Sequence, residues 1–176
     1  MKGAEAHTTK PYHRLYIGID PGLDGGLAAI NDEGYIGELS PMPTRKVAKG
    51  RRVDERAVQD WLRNQVSTHA NTVVILEDPG GHAPSAAGLR SMTHSFAVME
   101  TLIRIDRLSY HLVDAKEWQK MFWPRAKGTD TKAASIDTAC KIWPEQPFLA
   151  SSRSRKMHDG MTDSLLIAEW GRRYRL

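Results

Sequence analysis

Two short apolar runs, each closed by an acid and a proline-glycine turn, constrain this chain more than any other feature. Leu15-Tyr16-Ile17-Gly18-Ile19 stops at Asp20-Pro21-Gly22, and Val73-Val74-Ile75-Leu76 stops at Glu77-Asp78-Pro79-Gly80. Uninterrupted runs of this length, rich in β-branched residues, predict strands buried on both faces, as in the middle of a helix-covered sheet. A helical pattern separates the two runs, so they are expected to lie parallel. Asp20 and Glu77 would then leave neighbouring strands at their carboxyl ends, the edge of an open α/β sheet where ligand-binding side chains converge.

The rest of the chain extends that sheet and covers it. Gly26 to Ile30 and Tyr35 to Leu39, joined by the turn Asn31-Asp32-Glu33-Gly34, continue the first strand as an antiparallel meander. Ser40 to Arg52 contains Pro41, Pro43 and Gly50 and reads as a loop; it holds Arg45, Lys46, Lys49, Arg51 and Arg52 with no acid among them. Asp54 can cap a helix with Val58, Trp61, Leu62 and Val66 at helical spacing, ending before Asn71. A long helix is predicted from about Ala86 to Arg107, then a strand from Leu108 to Val113, then a segment opened by Asp114 with Trp118, Met121 and Phe122 on one face. A helix from Lys132 to Ile142 stops at Trp143-Pro144, Ser151 to Met157 reads as a mobile basic loop, and a closing helix runs from near Asp159 to Arg172. The order implies an α/β fold with a mixed five-stranded sheet, three antiparallel strands followed by two parallel ones, flanked by helices.

At 176 residues the chain suits one compact unit, residues 14–176, preceded by a polar, poorly ordered leader over residues 1–13. A unit of this size buries about 70% of the surface its unfolded chain exposes, so its core needs no staple. Cys140 is the single cysteine and no Cys/His spacing suits zinc, which excludes an internal disulfide and points to a reducing compartment. No apolar stretch is long enough for a bilayer and the N-terminus has no hydrophobic signal core, so a soluble cytoplasmic protein with no membrane partner is expected. The 25 Lys and Arg against 21 Asp and Glu leave a net charge of +4, too small an excess to identify a partner by itself.

Two more acids join the strand-end pair. Asp159 and Asp163 lie one helical turn apart and so share a face of the closing helix. Four carboxylates around one small volume repel each other unless cations neutralise them, which makes Asp20, Glu77, Asp159 and Asp163 candidate catalytic residues and ligands for Mg²⁺ or Mn²⁺. Two such ions activate a water and stabilise the departing alkoxide in phosphodiester cleavage. Each acid has a plainer alternative. Asp20 suits a turn that bonds its own backbone, Glu77 an exposed strand end, and Asp159 an N-cap. Asp163 precedes Leu165, Leu166 and Ile167 and is expected to face inward, where a lone carboxylate is costly.

The stretches Gly18-Ile19-Asp20-Pro21-Gly22, Ile75-Leu76-Glu77 and His158-Asp159-Gly160-Met161-Thr162-Asp163 resemble those of the RuvC-like Holliday junction resolvases, over roughly Arg14 to Arg172. The pattern is most similar to the phage and chloroplast branch, whose last helix opens with a His-Asp pair and carries its two acids four residues apart. Bacterial members more often space them by three, which leaves His158 and Asp159 as the two candidates for the third ligand. The shared helix face favours Asp159 and leaves His158 an assisting role. The resemblance implies an RNase H-like fold, a homodimer built through the helix from Ala86 to Arg107, two divalent ions per site, and paired symmetric cuts in a four-way junction. It also implies a lysine at the start of the helix after Thr131, matched by Lys132, and one after the preceding helical segment, where Gln119 stands beside Lys120. Many bacterial members place a wedging aromatic after the second acid; here Gly80-Gly81-His82 follows.

Lys116, Lys120, Arg125, Lys127 and Lys132, interleaved with Trp118, Phe122 and Trp123, form a pattern suited to phosphate contacts with stacking; without the carboxylates, a solvated face over buried aromatics would be the preferred reading. Arg153, Arg155 and Lys156, just ahead of Asp159, are further candidates for DNA contact. Two rival readings accompany the nuclease. Ile17 to Gly22 followed by Gly25-Gly26 is similar to the first phosphate loop of actin-like ATPases and sugar kinases, but a second such loop and an adenosine segment are missing, so no nucleotide cofactor is expected. The other rival is a noncatalytic protein that binds branched DNA.

Overall fold

The computed structural model describes residues 14–66, 71–80, 85–124, 126 and 128–176. The expected leader, Gly81 and His82, and two of the candidate DNA contacts, Arg125 and Lys127, lie outside the described residues. The elements follow the order β1 (Leu15–Asp20), β2 (Gly26–Asn31), β3 (Ile36–Pro41), β4 (Thr44–Lys46), β5 (Arg51–Val53), α1 (Glu55–Val66) and β6 (Thr72–Asp78). Then come α2 (Ala86–Ile105), β7 (Ser109–Asp114), α3 (Ala115–Phe122), α4 (Thr131–Ile142) and α5 (Asp159–Tyr174).

The main sheet has the order β3-β2-β1-β6-β7. Strands β1, β2 and β3 pair antiparallel, whereas β6 runs parallel to β1 and β7 parallel to β6, which is the mixed sheet expected. The uninterrupted apolar runs occupy its centre: Ile17, Ile19, Val74, Ile75 and Leu76 have no exposed surface. Both faces are covered. Leu15, Ile17, Ile19, Val74 and Leu76 pack against Val58, Trp61 and Leu62 of α1 and Met99, Leu102 and Ile103 of α2. Tyr16, Val73 and Ile75 pack on the opposite side with Trp118 of α3, Ala139 of α4 and Leu165, Leu166 and Ala168 of α5. The two-residue period of a strand therefore sends Asp20 and Glu77 to the α5 side, in phase with Tyr16 and with Val73 and Ile75.

One expectation needs correction. Ser40 to Arg52 is not a loop throughout: β3 continues to Pro41, and β4 and β5 form a separate two-stranded hairpin. The prolines stop strands here rather than excluding them, because Pro41 is the last residue of β3 and Pro43 precedes β4. Gly50 takes a φ of +90° beside the Val47–Gly50 backbone hydrogen bond, and Val53, without exposed surface, anchors the hairpin in the core. Elsewhere, Asp54 Oδ1 accepts the Ala57 amide at 3.1 Å at the head of α1, as the capping pattern predicts. Among the described residues no helix is long and apolar enough to cross a membrane.

Candidate active site

Close backbone approach brings the start of α5 to the ends of β1 and β2. A Cβ built on Gly160 would lie 2.1 Å from the Asp24 carbonyl oxygen and 2.5 Å from Gly25 Cα, and one on Gly18 would lie 2.0 Å from the Ser164 carbonyl oxygen. Glycine at these positions lets the helix lie directly on the strands, so Asp159 and Asp163 come to the edge where Asp20 and Glu77 leave the sheet. Asp20 from β1, Glu77 from β6 and Asp163 from α5 are all partly buried there.

None of these three forms an ion pair with a described residue. Burial pushes the Asp20 carboxyl up to about 6; the Gly22 amide, which donates to Asp20 Oδ1 at 3.0 Å, opposes that rise, and the charges of Asp159 and Asp24 add to it. Asp163 is pushed up to about 7, first by burial and then by Asp20, while the Ser135 hydroxyl works in the other direction. Glu77 rises well above the ordinary carboxylate range through burial, then through Asp20 and Asp163. The Trp118 indole N–H, fully buried and closing no hydrogen bond, lies near enough to Glu77 to oppose its rise. Glu169, on the same helix and 2% exposed at its side chain, behaves differently: Arg172 at 2.6 Å and Arg173 at 2.7 Å outweigh its burial and lower it. The strand-edge acids thus form an oxygen-only set that repels itself; the charge of Lys132, paired with Asp159, opposes the rise at Asp20 and Asp163 without outweighing it.

Asp159 is the partnered member. Burial pushes it up, but Lys132 Nζ at 2.6 Å from Oδ2 outweighs burial and holds it below the ordinary range. It is not the helix cap. His158 holds that place, its Nδ1 accepting the Met161 amide at 3.3 Å, which commits one ring nitrogen to the backbone and leaves Asp159 as the first residue of α5. Among the described residues no three His, Cys, Asp or Glu side chains form a ready-made cage for one ion as they stand. The donor set fits a hard divalent cation by its chemistry, all carboxylate oxygen, rather than by preset coordination.

Of the basic candidates among the described residues, Lys132 alone meets the acids through an ion pair. Lys116 and Lys120 are exposed on α3, next to a buried Gln119, and Arg153, Arg155 and Lys156 are exposed ahead of α5. Of the two readings of the interleaved aromatics, burial in the core fits Trp118 and Trp123 and stacking on bases does not. Trp118 has no exposed surface and Trp123 only 8%, and they meet edge to face at 5.6 Å inside the core, because the helical period of α3 turns Trp118 inward. Sequence reasoning left the hairpin unassigned, yet Arg51 of β5 forms an ion pair with Asp24, beside Asp20. A run of five bases without an acid was the available signal. A cavity of about 290 Å³, lined by Leu62, Arg63, Val66, Asp106 and Leu108, includes none of these acids.

No family model matches the chain, and no curated protein matches its sequence. Solved structures do match. The structure of T. thermophilus RuvC in complex with Holliday junction substrate is 12% identical, covers 92% of this chain and 96% of its own, and superposes with a TM-score of 0.57. A Thermus thermophilus RuvC structure is 10% identical, with coverage of 92% and 94% and a TM-score of 0.49. At such identities a likeness speaks for architecture, and the first of the two carries it. The order of strands, the helices on both faces and this near-complete superposition together give the chain the RNase H-like α/β fold of RuvC.

Proposed function

We propose that this protein is a divalent-metal-dependent endonuclease that resolves four-way DNA junctions by paired, symmetric nicks. The observation that carries the reading is the meeting of Asp20, Glu77 and Asp163, from three separate elements, at one sheet edge with raised proton affinity and no ion pair to a described residue. Carboxylates held in this way are costly unless a bound cation offsets their repulsion. The RuvC fold, found in a structure bound to a Holliday junction, supports branched DNA as the substrate.

In this reading Asp20, Glu77 and Asp163 hold Mg²⁺ or Mn²⁺, two ions per site, and Asp159 joins them on leaving Lys132. Ions held there would supply an activated water and charge stabilisation for the departing alkoxide. Lys132, released from Asp159, becomes available to a phosphate of the scissile strand. The exposed Lys116, Lys120, Arg153, Arg155 and Lys156, together with Arg125 and Lys127 beyond the described residues, supply phosphate contacts that position the duplex without reading its bases. His158 keeps the first turn of α5 in place through its cap. Paired cuts need two sites, and α2 offers a surface for a second copy: a cavity of about 470 Å³ runs along Ala86, Leu89, Arg90, Thr93, His94 and Ala97.

The test is a synthetic four-way junction labelled on each strand in turn. With Mg²⁺, opposed strands are expected to be nicked at equivalent positions, and Asp20→Asn or Glu77→Gln to abolish cutting while junction binding persists. Cutting that survives either change rejects the site. Junction binding without cutting by the parent protein supports the noncatalytic rival.

A further inference from the structure

The hairpin of β4 and β5 sets bases against bases. Its register pairs Arg45 with Arg52 and Lys46 with Arg51, so like charges stand directly opposite each other on both faces of a two-stranded ribbon. Such pairs destabilise a ribbon, and one with strands this short is marginal by itself. In each pair one member finds an acid: Arg45 Nε lies 3.0 Å from Glu55 Oε2, and Arg51 forms its ion pair with Asp24. The other member does not. Arg52 and Lys46, and Lys49 in the turn between the strands, are exposed and form no ion pair among the described residues. Three cations are therefore held close together without an acid to neutralise them.

The hairpin is also fixed to the corner of the sheet that carries the acids. The Met42 amide, just ahead of β4, donates to the Gly25 carbonyl at 2.9 Å, and Val53 of β5 is buried in the core with Val58 and Met99. Gly25 and Asp24 are the residues against which Gly160 of α5 packs, and Gly26 pairs with Asp20. Arg51 and Lys132 thus each meet an acid at one corner, Asp24 and Asp159. We infer that the hairpin is a phosphate-binding element: Lys46, Lys49 and Arg52 take backbone phosphates of the DNA duplex whose strand is cut at Asp20, Glu77 and Asp163. The inference rests on the proposed nuclease reading for the identity of the anion. A duplex suits the ribbon because its phosphates neutralise several clustered cations at once, each contact releasing counterions. Contacts of this kind set position and carry no sequence information.

The experiment measures binding of the full chain to a synthetic four-way junction and to a linear duplex in chelator, over a salt series, with melting temperatures alongside. The double variant Lys46→Gln/Arg52→Gln is expected to bind the junction about tenfold more weakly, with a salt slope smaller by about 2. Its melting temperature should match or exceed the parent's, because each like-charge pair across the ribbon has lost one member. Lys141→Gln, exposed at the opposite end of α4 from Lys132, is the charge control and should keep the parent slope. An unchanged slope in the double variant overturns the inference, and so does a control that loses as much slope per charge removed. Should the double variant fail to fold, Lys49→Gln decides: a slope smaller by about 1 supports the inference, and the parent slope overturns it. Binding to vesicles of anionic phospholipid that the double variant loses, beside an unchanged junction slope, would give the hairpin to a membrane surface and overturn it too. A parent that binds neither DNA overturns the nuclease reading and this inference together. A parent that binds through the hairpin and cuts nothing with Mg²⁺ leaves the inference supported and overturns the nuclease reading alone.

Discussion

Lys132 Nζ lies 2.6 Å from Asp159 Oδ2, so the ammonium group of α4 neutralises the carboxylate that opens α5. The lysine side chain is 75% exposed and the aspartate 30%, a pairing that a divalent ion or a phosphate can displace at small cost. Lys132→Gln is therefore expected to bind divalent ions at least as tightly as the parent while binding junction DNA more weakly, with a salt slope smaller by about 1. Calorimetry with Mn²⁺ and junction binding over a salt series check the two halves separately. An unchanged slope would take Lys132 out of the phosphate contacts.

The unpaired acids make a pH prediction whose sign is definite. Asp20 and Asp163 hold their protons more tightly in the folded chain, at about 6 and about 7 against an ordinary 3.8. The folded state then binds more protons than the unfolded state from about pH 4 to 7, so stability falls as pH rises through that window. Asp159 and Glu169 have lowered values and act below it, where falling pH destabilises. Metal-free protein should melt at a lower temperature at pH 8 than at pH 5, and Mg²⁺ should restore more of the loss at pH 8. A melting temperature that climbs from pH 5 to 8 in chelator contradicts the arrangement.

Removing one of these charges should separate stability from activity. Asp163→Asn keeps the shape and ends the repulsion with Asp20, so the metal-free variant should melt above the parent at pH 8 and cut no junction. The same scan at pH 5, where the parent carboxyl is already protonated, should show a smaller gap. A variant that is less stable than the parent at both pH values would mean that Asp163 is held by a partner.

The glycine contact between α5 and the strand ends is open to a steric test. In Gly160→Ala the new methyl group meets backbone on the far side, the Asp24 carbonyl and Gly25 Cα, neither of which can rotate away. The expected loss is about 1–3 kcal/mol, typical of overpacking, with a larger proportional fall in junction cutting because α5 carries two of the acids. Gly37→Ala, whose Cβ would have its nearest neighbour at 3.6 Å, is the control. Chemical denaturation and cleavage rates measure both.

Trp118→Phe keeps most of the ring volume and removes the buried N–H near Glu77. Loss of an unsatisfied donor is nearly neutral for stability, within about 1 kcal/mol, whereas Glu77 loses a group that favours its ionised form. Higher half-saturating Mg²⁺ with a nearly unchanged melting temperature is the expected result. A large fall in stability would instead mark Trp118 as packing.

The sheet was legible in the sequence because its signals are local. Leu15–Ile19 and Val73–Leu76 need burial on both faces wherever they occur, and Asp20 and Glu77 mark the ends of the strands they close. The i, i+4 spacing likewise puts Asp159 and Asp163 on one face of α5 before any packing is known. Tertiary structure decided the rest. Only packing shows that His158 caps α5, that Lys132 pairs with Asp159 while Asp20, Glu77 and Asp163 have no ion pair among the described residues, that Trp118 and Trp123 are core, and that Ser135 and Thr162 meet between α4 and α5. The hairpin from Thr44 to Val53 was missed because prolines look the same in a loop and at the end of a strand. Periodicity and turn chemistry are properties of neighbouring residues, whereas a carboxylate's partner and proton affinity depend on groups that the chain brings together from far apart.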